Sequence, residues 1–512
     1  MSHSTTYVLT PHSARGGLLM ALAGGAAIGG LGLLALGLEP KWAMFATIGL
    51  MLPFVGALTG NLRRFLLALM VFSVPLNADV HLLYHPEAAG TRGLVIAFPD
   101  ICLVVLVAAW LIELASGLRQ ERVRLFPRVT VPYAALLCLG ALSAVWAPKP
   151  LLTLLDIWQM SKILVLFLYL VNTVRDREEV QFVLGVLLLG AALQGVIVLL
   201  QNATGLSLGF FGQQTKAEFF HPEEDVSLVR RPGGTVGHAN TLGRYFVLLL
   251  PTGIFLSLNS EKRRTFYLLT TGMGLLGMVL TLSRSAWVGL AFALMVGWVA
   301  KRRRRGEGSE RRGKGWAVVL LLAIVVAFGP TIYRRMVSPD FGATMSRLTT
   351  AEVALRVIRD HPLLGVGLNN YKEALDTYFD PSDPFTRVAP VHNLYLLFAG
   401  ELGLVGLGLF LWLMAALLNG MRMGLRAKDQ LHWASAVGLF SGLAAMLVMA
   451  TSDYAYKQSL ALMSTMWIVA ALGLTLATLQ EQEAAMEQAA EREPEPLPSC
   501  ISQQLIALAH RQ

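Results

Sequence analysis

Titratable and hydrogen-bonding side chains collect in one part of this 512-residue chain, between about residues 334 and 406. His392 and Asn393 lie at its centre, at the point where the chain returns to an apolar run. A histidine exchanges a proton near neutral pH, so it suits general acid–base chemistry. We therefore expect the chemistry of this chain in the polar stretch.

A second polar segment has the composition of an anion site. Arg230 and Arg231 precede a Gly-rich turn that leads through Asn240 into an apolar run. Glycine lets a backbone approach a ligand closely, a helix N-terminus presents free N–H groups, and arginine binds phosphate oxygens bidentately. The segment predicts a phosphate or diphosphate site at the membrane surface. The alternative is an interfacial loop whose arginines extend to water.

A third polar feature, Arg284, interrupts two apolar runs that are joined by almost no loop. A charge in that position is costly unless it is paired. Arg284 could pair with an anionic substrate, or it could be an interface arginine beside Trp287.

The composition defines the elements that must position these residues. The chain is 55% hydrophobic and 15% charged, whereas soluble proteins carry about 25% charged residues. Many apolar runs reach the roughly 20 residues that a membrane-crossing helix needs. We predict an all-α polytopic membrane protein with about 12–14 transmembrane helices. The candidate runs are 17–38, 42–60, 65–79, 94–116, 129–147, 159–174, 180–200, 238–258, 265–283, 285–300, 316–333, 393–419, 431–451 and 459–479.

The net charge of +9 comes largely from Lys and Arg in short loops on one side of the predicted membrane. This positive-inside pattern predicts a lipid bilayer rather than nucleic acid as partner, with both termini cytoplasmic. We divide the chain into a transmembrane bundle (1–333) with outward loops 80–93 and 201–237, a large outward loop (334–392), C-terminal transmembrane helices (393–479) and a cytoplasmic tail (480–512).

The large outward loop is long enough to fold by itself. Apolar and charged residues recur at helical spacing over about 343–360, which predicts an amphipathic helix along the membrane surface that carries Arg356 and Arg359. Glu401 falls about two turns into the next membrane span. A further short outward loop, 452–457, could line the same cavity or simply turn the chain.

The sequence gives no sign of a metal or another cofactor. Its three cysteines have no metal or disulfide spacing. His81 and His85 are four residues apart, but Pro86 follows directly and no third ligand is near. Asp100, near the end of an apolar span, is either a functional acid or a helix cap.

The motifs together resemble the O-antigen ligase and O-antigen polymerase superfamily. The pattern is Arg-x-x-Gly followed by His-Ala-Asn (231–240), Ser-Arg-Ser (283–285), Asp-His-Pro-Leu-Leu-Gly-Val-Gly-x-Asn-x-Tyr (360–371), and His-Asn-x-Tyr-Leu followed by Glu-x-Gly-x-x-Gly (392–406). The resemblance covers roughly residues 200–410. The order of the pieces is more specific than any one of them.

The resemblance implies a glycosyltransferase C-type fold and an integral inner-membrane glycosyltransferase. Its substrates would be an undecaprenyl-diphosphate-linked glycan donor and a glycan acceptor, which meet at the periplasmic face. The transfer would invert the anomeric centre. Arginines would bind the diphosphate in place of a metal ion.

The resemblance also implies roles for individual residues. Arg231 and Arg284 would bind the diphosphate, and His392 would activate the acceptor. Arg230 is a possible substitute for Arg231, and Arg356 and Arg359 of the loop helix are further candidates. Asn393 and Glu401 would orient His392 or cap its helix, and Asn240 is a further supporting residue. His361 is the competing histidine, with an expected structural role.

The acceptor stays open at this point. A ligase would use lipid A core, a polymerase would extend a growing polysaccharide, and a third kind of enzyme would glycosylate a protein. A transporter of lipid-linked glycans is the alternative of a different class. Transport is disfavoured because polar residues gather in loops on one face rather than near the middle of the membrane.

Overall fold

The computed structural model describes residues 61–85, 88, 90–118, 122–206, 218–219, 230–304, 329, 333, 343–378 and 390–492. The apolar runs predicted at 17–38 and 42–60 lie outside the described residues, as does most of the run at 316–333. The same holds for most of the 201–237 loop, for much of the 376–390 segment, and for the tail after residue 492.

The described chain is almost entirely helical. Its helices are α1 (Leu62–Ser73), α2 (Phe98–Ala115), α3 (Pro127–Leu142), α4 (Pro150–Thr173), α5 (Arg177–Thr204), α6 (Ala239–Asn259), α7 (Arg264–Leu280), α8 (Arg284–Arg304), α9 (Ala343–Asp360), α10 (Tyr371–Ala374), α11 (Leu394–Met421), α12 (Gln430–Met449), α13 (Ala455–Gln458) and α14 (Leu460–Arg492). Within these residues, eight helices are long and apolar enough to cross a membrane. The predicted class, an all-α polytopic membrane protein, is confirmed.

The helix α9 spans the helical segment predicted at 343–360. One predicted span begins later than expected. Residues 94–97 form a strand, β2 (Leu94–Ala97), which pairs antiparallel with β1 (Asp79–Leu82). The helix α2 then starts at Phe98, and the Asp100 carboxylate accepts the N–H of Ala97 at 2.9 Å. Asp100 also contacts Lys162 at 2.6 Å, so it both caps α2 and forms an ion pair.

The short basic loops meet at one end of the bundle. Arg63, in the first turn of α1, contacts Glu179 of α5 at 2.6 Å. Arg175 donates to the backbone carbonyl of Arg122 at 3.0 Å. The loops that the sequence groups on one side of the membrane are thus neighbours in space.

The candidate segments meet at the opposite end. The N–H of Gly90, after β1, donates to the Asn369 side chain at 2.8 Å. The N–H of Leu394 at the start of α11 donates to the carbonyl of Ala450 at 2.9 Å. Segments far apart in the chain therefore form one polar end above the apolar bundle.

The helix α6 lies at the centre and packs against α7, α8 and α12. Its membrane-spanning window is 89% buried. Close approach to α12 depends on a small residue, because a Cβ added at Gly442 would lie 2.3 Å from the Leu248 carbonyl oxygen. This packing fixes the position of the N-terminal turns of α6, which carry candidate site residues.

The membrane helix α11 is broken near its start. Gly403 has φ 67° and ψ −172°, a conformation that is essentially restricted to glycine. The carbonyls of Gly400 and Glu401 that the break releases accept the N–H groups of Val366 and Gly367, at 3.0 and 2.8 Å. The N–H of Leu404 donates to the Pro362 carbonyl at 2.8 Å. Polar backbone at membrane depth is tolerated when protein groups satisfy it in this way.

Replacing this glycine should destabilise the fold. In Gly403→Ala, the added Cβ would lie 2.1 Å from the Leu363 backbone, and the backbone strain alone costs on the order of 1–3 kcal/mol. We expect a clearly lower melting temperature of the detergent-solubilised protein. The matched control is Gly408→Ala in the same helix, where an added Cβ meets nothing within 4 Å. Equal melting temperatures for the two variants would contradict the structural role of Gly403.

Candidate functional site

His392 lies directly before the first turn of α11. Asn393 is the N-cap of this helix, and its side-chain oxygen accepts the N–H groups of Tyr395 and Leu396 at 2.9 and 3.1 Å. The cap fixes where the helix starts and therefore where His392 leaves it. The half-buried His392 ring lies 5.6 Å, centre to centre, from the ring of Tyr454. Burial raises the pKa of Tyr454 to about 12, so its hydroxyl keeps its proton at neutral pH.

Charges from several elements act on His392. Burial lowers the pKa of the imidazole below its usual value, and the carboxylate of Asp453 opposes this effect. The positive charges of Arg347 and Arg244, and the nearby His238, lower the pKa of His392 further. The imidazole is therefore neutral at pH 7 and able to accept a proton.

A buried ion pair stands beside this histidine. The Nη2 of Arg244, on α6, lies 2.8 Å from an Asp453 carboxylate oxygen. The whole Arg244 residue is only 2% exposed. The sequence reasoning singled out neither residue. It left open whether the 452–457 loop lines the cavity, and the structure brings Asp453 and Tyr454 of this loop to His392.

The predicted anion segment lies next to this pair. Arg231, 5% exposed, donates from Nη2 to the Asn240 side chain at 2.6 Å and from Nε to the Thr281 carbonyl at 3.2 Å. Thr281 is the C-cap residue of α7, and the half-buried Arg284 begins α8 three residues later. The structure thus brings Arg231 and Asn240 to the turn that carries Arg284.

Arg230 is described only by its backbone. It belongs to the two-residue strand β4 (Arg230–Arg231), which pairs antiparallel with β3 (Glu218–Phe219). The predicted role of its side chain as a substitute for Arg231 lies outside what the structure describes.

The structure points to a different arginine of α9, Arg347, from the two that the sequence predicted. Arg356 and Arg359 are exposed. Arg347 is exposed as well, but at 100° per residue it lies on the side of α9 that carries the buried Thr350 and Ala354, whereas Arg356 lies on the opposite side. Arg347 is also the α9 residue whose charge acts on His392. The helical spacing that places Arg347 on the side of Thr350 and Ala354 was a signal that the sequence already contained.

Glu401 lies in a buried charged cluster rather than at a helix cap. Glu401 is fully buried and contacts the Lys457 ammonium group. Lys457 also lies 3.2 Å from Asp156 of α4, and Asp156 accepts a hydrogen bond from the Thr91 hydroxyl group at 2.5 Å. The cluster connects α4, α11 and the short helix α13 that follows Asp453. Sequence reasoning missed Asp156 and Lys457.

Two adjacent asparagines anchor the large loop to the bundle. Asn369 is fully buried at φ 59°, and its amide donates to the Leu152 carbonyl at 3.1 Å. The Asn370 side-chain oxygen accepts the N–H of Lys149 at 2.8 Å. These bonds hold the Gly365–Tyr371 motif on the start of α4.

The described ranges contain no candidate metal site. No group of three or more His, Cys, Asp or Glu side chains there could hold a metal ion. His81 instead lies 3.4 Å from Asp79.

The structure is a multi-pass helical membrane protein with arginines and a histidine gathered at one end of the bundle, and arginines are suited to binding anions. Residues 268–411 match the family model described as O-antigen ligase. The match confirms the resemblance to the O-antigen ligase and polymerase superfamily and supports an enzyme of the ligase or polymerase type. It includes Arg284, Arg347 and His392 and ends before Asp453. No curated protein matches the chain significantly.

Removing Lys457, the central cation of the buried cluster, should destabilise the fold. Lys457→Met leaves two buried carboxylates without their cation, and breaking a buried pair costs about 3–5 kcal/mol. We expect a large fall in the melting temperature of the detergent-solubilised protein.

The control is Lys428→Met, because the Lys428–Glu487 pair is exposed and such pairs contribute about 0–1 kcal/mol. Combining Lys457→Met with Glu401→Gln should recover part of the lost stability. Similar melting temperatures for the two lysine variants would show that the cluster does not stabilise the fold.

Proposed function

We propose that this protein transfers a glycan from undecaprenyl diphosphate to a glycan acceptor such as lipid A core, at the periplasmic face of a bacterial inner membrane. The observation that carries the proposal is that a neutral, half-buried His392 and several arginines lie at the same end of the bundle. The described arginines suit the anionic leaving group, and the histidine suits an acceptor hydroxyl.

The proposed reaction is one displacement. The acceptor oxygen attacks the anomeric carbon of the donor sugar and forms the new glycosidic bond. The bond between that carbon and the diphosphate oxygen breaks, and its electron pair leaves with undecaprenyl diphosphate. His392 takes the acceptor proton. In-line attack inverts the anomeric centre.

Arg231 and Arg284 are proposed to bind the diphosphate. Arg231 is held by Asn240 and by a backbone carbonyl, so its guanidinium is oriented before the donor arrives. An oriented cation in a buried site stabilises developing negative charge more than the same cation in water. Arg356 and Arg359 remain weaker candidates because they are exposed.

Replacing the base should abolish transfer. In His392→Ala we expect a rate loss of roughly 10²–10⁴-fold, which is the usual contribution of general acid–base catalysis. Membrane insertion should stay normal, because the helix cap is made by Asn393. The measurement is glycan transfer by purified protein with a defined lipid-linked donor, and Arg422→Ala at the opposite end is the control. Full activity of His392→Ala would remove His392 from the mechanism.

Replacing a diphosphate-binding arginine should affect the donor first. We expect Arg284→Ala to raise the KM for the donor more than the KM for the acceptor.

A mechanism in which arginines replace a metal ion predicts that transfer continues in EDTA. Loss of activity on chelation, restored by a divalent cation, would contradict the metal-independent mechanism.

The neutral state of His392 sets the pH dependence. Protonation removes its ability to accept a proton, and its pKa lies below the usual value of about 6.5. The value of kcat/KM, which reports the free enzyme, should therefore be near its plateau at pH 7 and fall at acid pH, with a midpoint below about 6.5. A midpoint above 7 would show that another group controls the rate.

The acceptor separates a ligase from a polymerase. Product that forms only after lipid A core is added would identify a ligase. Longer glycans on the lipid donor without an added acceptor would identify an O-antigen or exopolysaccharide polymerase. Transfer to neither would direct the search to a protein acceptor, and binding without any transfer would favour a transporter.

A further inference from the structure

Arg244 is a buried cation with unused hydrogen-bonding capacity. Its Nη2 contacts Asp453 at 2.8 Å. Its Nη1 is buried and has no hydrogen-bond acceptor among the described residues. A buried guanidinium nitrogen without an acceptor is costly, so Nη1 suits an incoming anionic ligand.

The position of Arg244 connects it to the proposed donor site. Arg244 follows Asn240 by four residues on α6, so the two side chains lie on the same face of the helix. Asn240 accepts the hydrogen bond from Arg231. Arg231 and Arg244 are therefore both neighbours of Asn240.

Among the described residues, the charges that act on His392 are mostly positive. From α6 and the residue before it come Arg244 and His238, from α9 comes Arg347, and from the loop after α12 comes the single carboxylate of Asp453. The ring of Tyr454 packs on the histidine, and Arg92 of the hairpin loop acts on Tyr454. Among these groups, Asp453 is the one that favours the protonated imidazole. The positive charge of Arg244 neutralises the Asp453 carboxylate.

We propose that Arg244 is a donor-binding arginine that exchanges its partner Asp453 for an anionic oxygen of the donor diphosphate, and so releases Asp453 to act on His392. The inference rests on the proposed function. An anionic donor then does two things at once: it satisfies the buried guanidinium, and it strengthens the proton acceptor that the next step needs. His392 becomes a better base when the donor is bound.

The expected sign follows from the charges. Donor binding adds negative charge near His392 and frees Asp453, so the pKa of His392 rises. The acid limb of kcat, which reports the enzyme–substrate complex, should lie at higher pH than the acid limb of kcat/KM, which reports the free enzyme. Opposite charges within a few ångströms move such midpoints by about one pH unit.

The variants should move the free-enzyme midpoint in opposite directions. Arg244→Met removes a repulsive cation and frees Asp453, so the midpoint of kcat/KM rises. Asp453→Asn removes the favourable carboxylate, so the midpoint falls. The double variant should lie near the wild type. Arg422→Met, which removes an exposed arginine at the other end of the bundle, should leave the midpoint unchanged.

A binding measurement tests the same exchange without catalysis. Pyrophosphate titrated into the purified protein by calorimetry should bind roughly tenfold more weakly to Arg244→Met, since a hydrogen bond to a charged group is lost. It should bind more tightly to Asp453→Asn, because Arg244 no longer has a competing partner. A purely structural ion pair would weaken binding in both variants.

The outcomes distinguish the two proposals. Wild-type protein that neither binds pyrophosphate nor transfers a lipid-linked glycan would overturn the proposed function. Wild-type protein that transfers glycan, with variants whose midpoints do not move or whose pyrophosphate binding weakens equally, would overturn only the exchange of partners by Arg244.

Discussion

The polar end of the molecule depends on three buried charges that must remain together. Lys457 lies between Asp156 of α4 and Glu401 of α11, and all three side chains are almost completely buried. In this environment an unpaired ion is far more costly than in water. The cluster therefore holds two membrane helices against the loop after α12. That loop carries Asp453 and Tyr454 to His392, so the geometry of the candidate site follows from the cluster.

The second constraint is the break in α11 at Gly403. A membrane helix that loses backbone hydrogen bonds needs other partners, and the segment Pro362–Gly367 supplies them. Asn369 and Asn370 then fix the same segment to the start of α4. The large loop is thus joined to the bundle through backbone groups on one side and buried amides on the other. Its motif of glycines and asparagines has a structural explanation, separate from chemistry.

The site itself is electrostatically asymmetric. The described groups around His392 include arginines from two helices and one carboxylate, Asp453. Such an arrangement suits a substrate that brings its own negative charge, because the incoming anion completes the charge balance. The arrangement agrees with the match to the O-antigen ligase family model, and burial together with the arginines keeps the pKa of His392 below its usual value.

The sequence by itself determined the helical membrane class, most helix positions, and three of the polar segments at the site. Bilayer thickness imposes apolar length, and arginine or histidine among apolar residues is conspicuous. The sequence did not reveal Arg244, Asp453, Asp156 or Lys457 as partners. Each looks ordinary in its own segment and gains its meaning from a charge on a distant helix. Only the tertiary structure decided those pairings, since electrostatic energy depends on distances that folding creates, and not on separation along the chain.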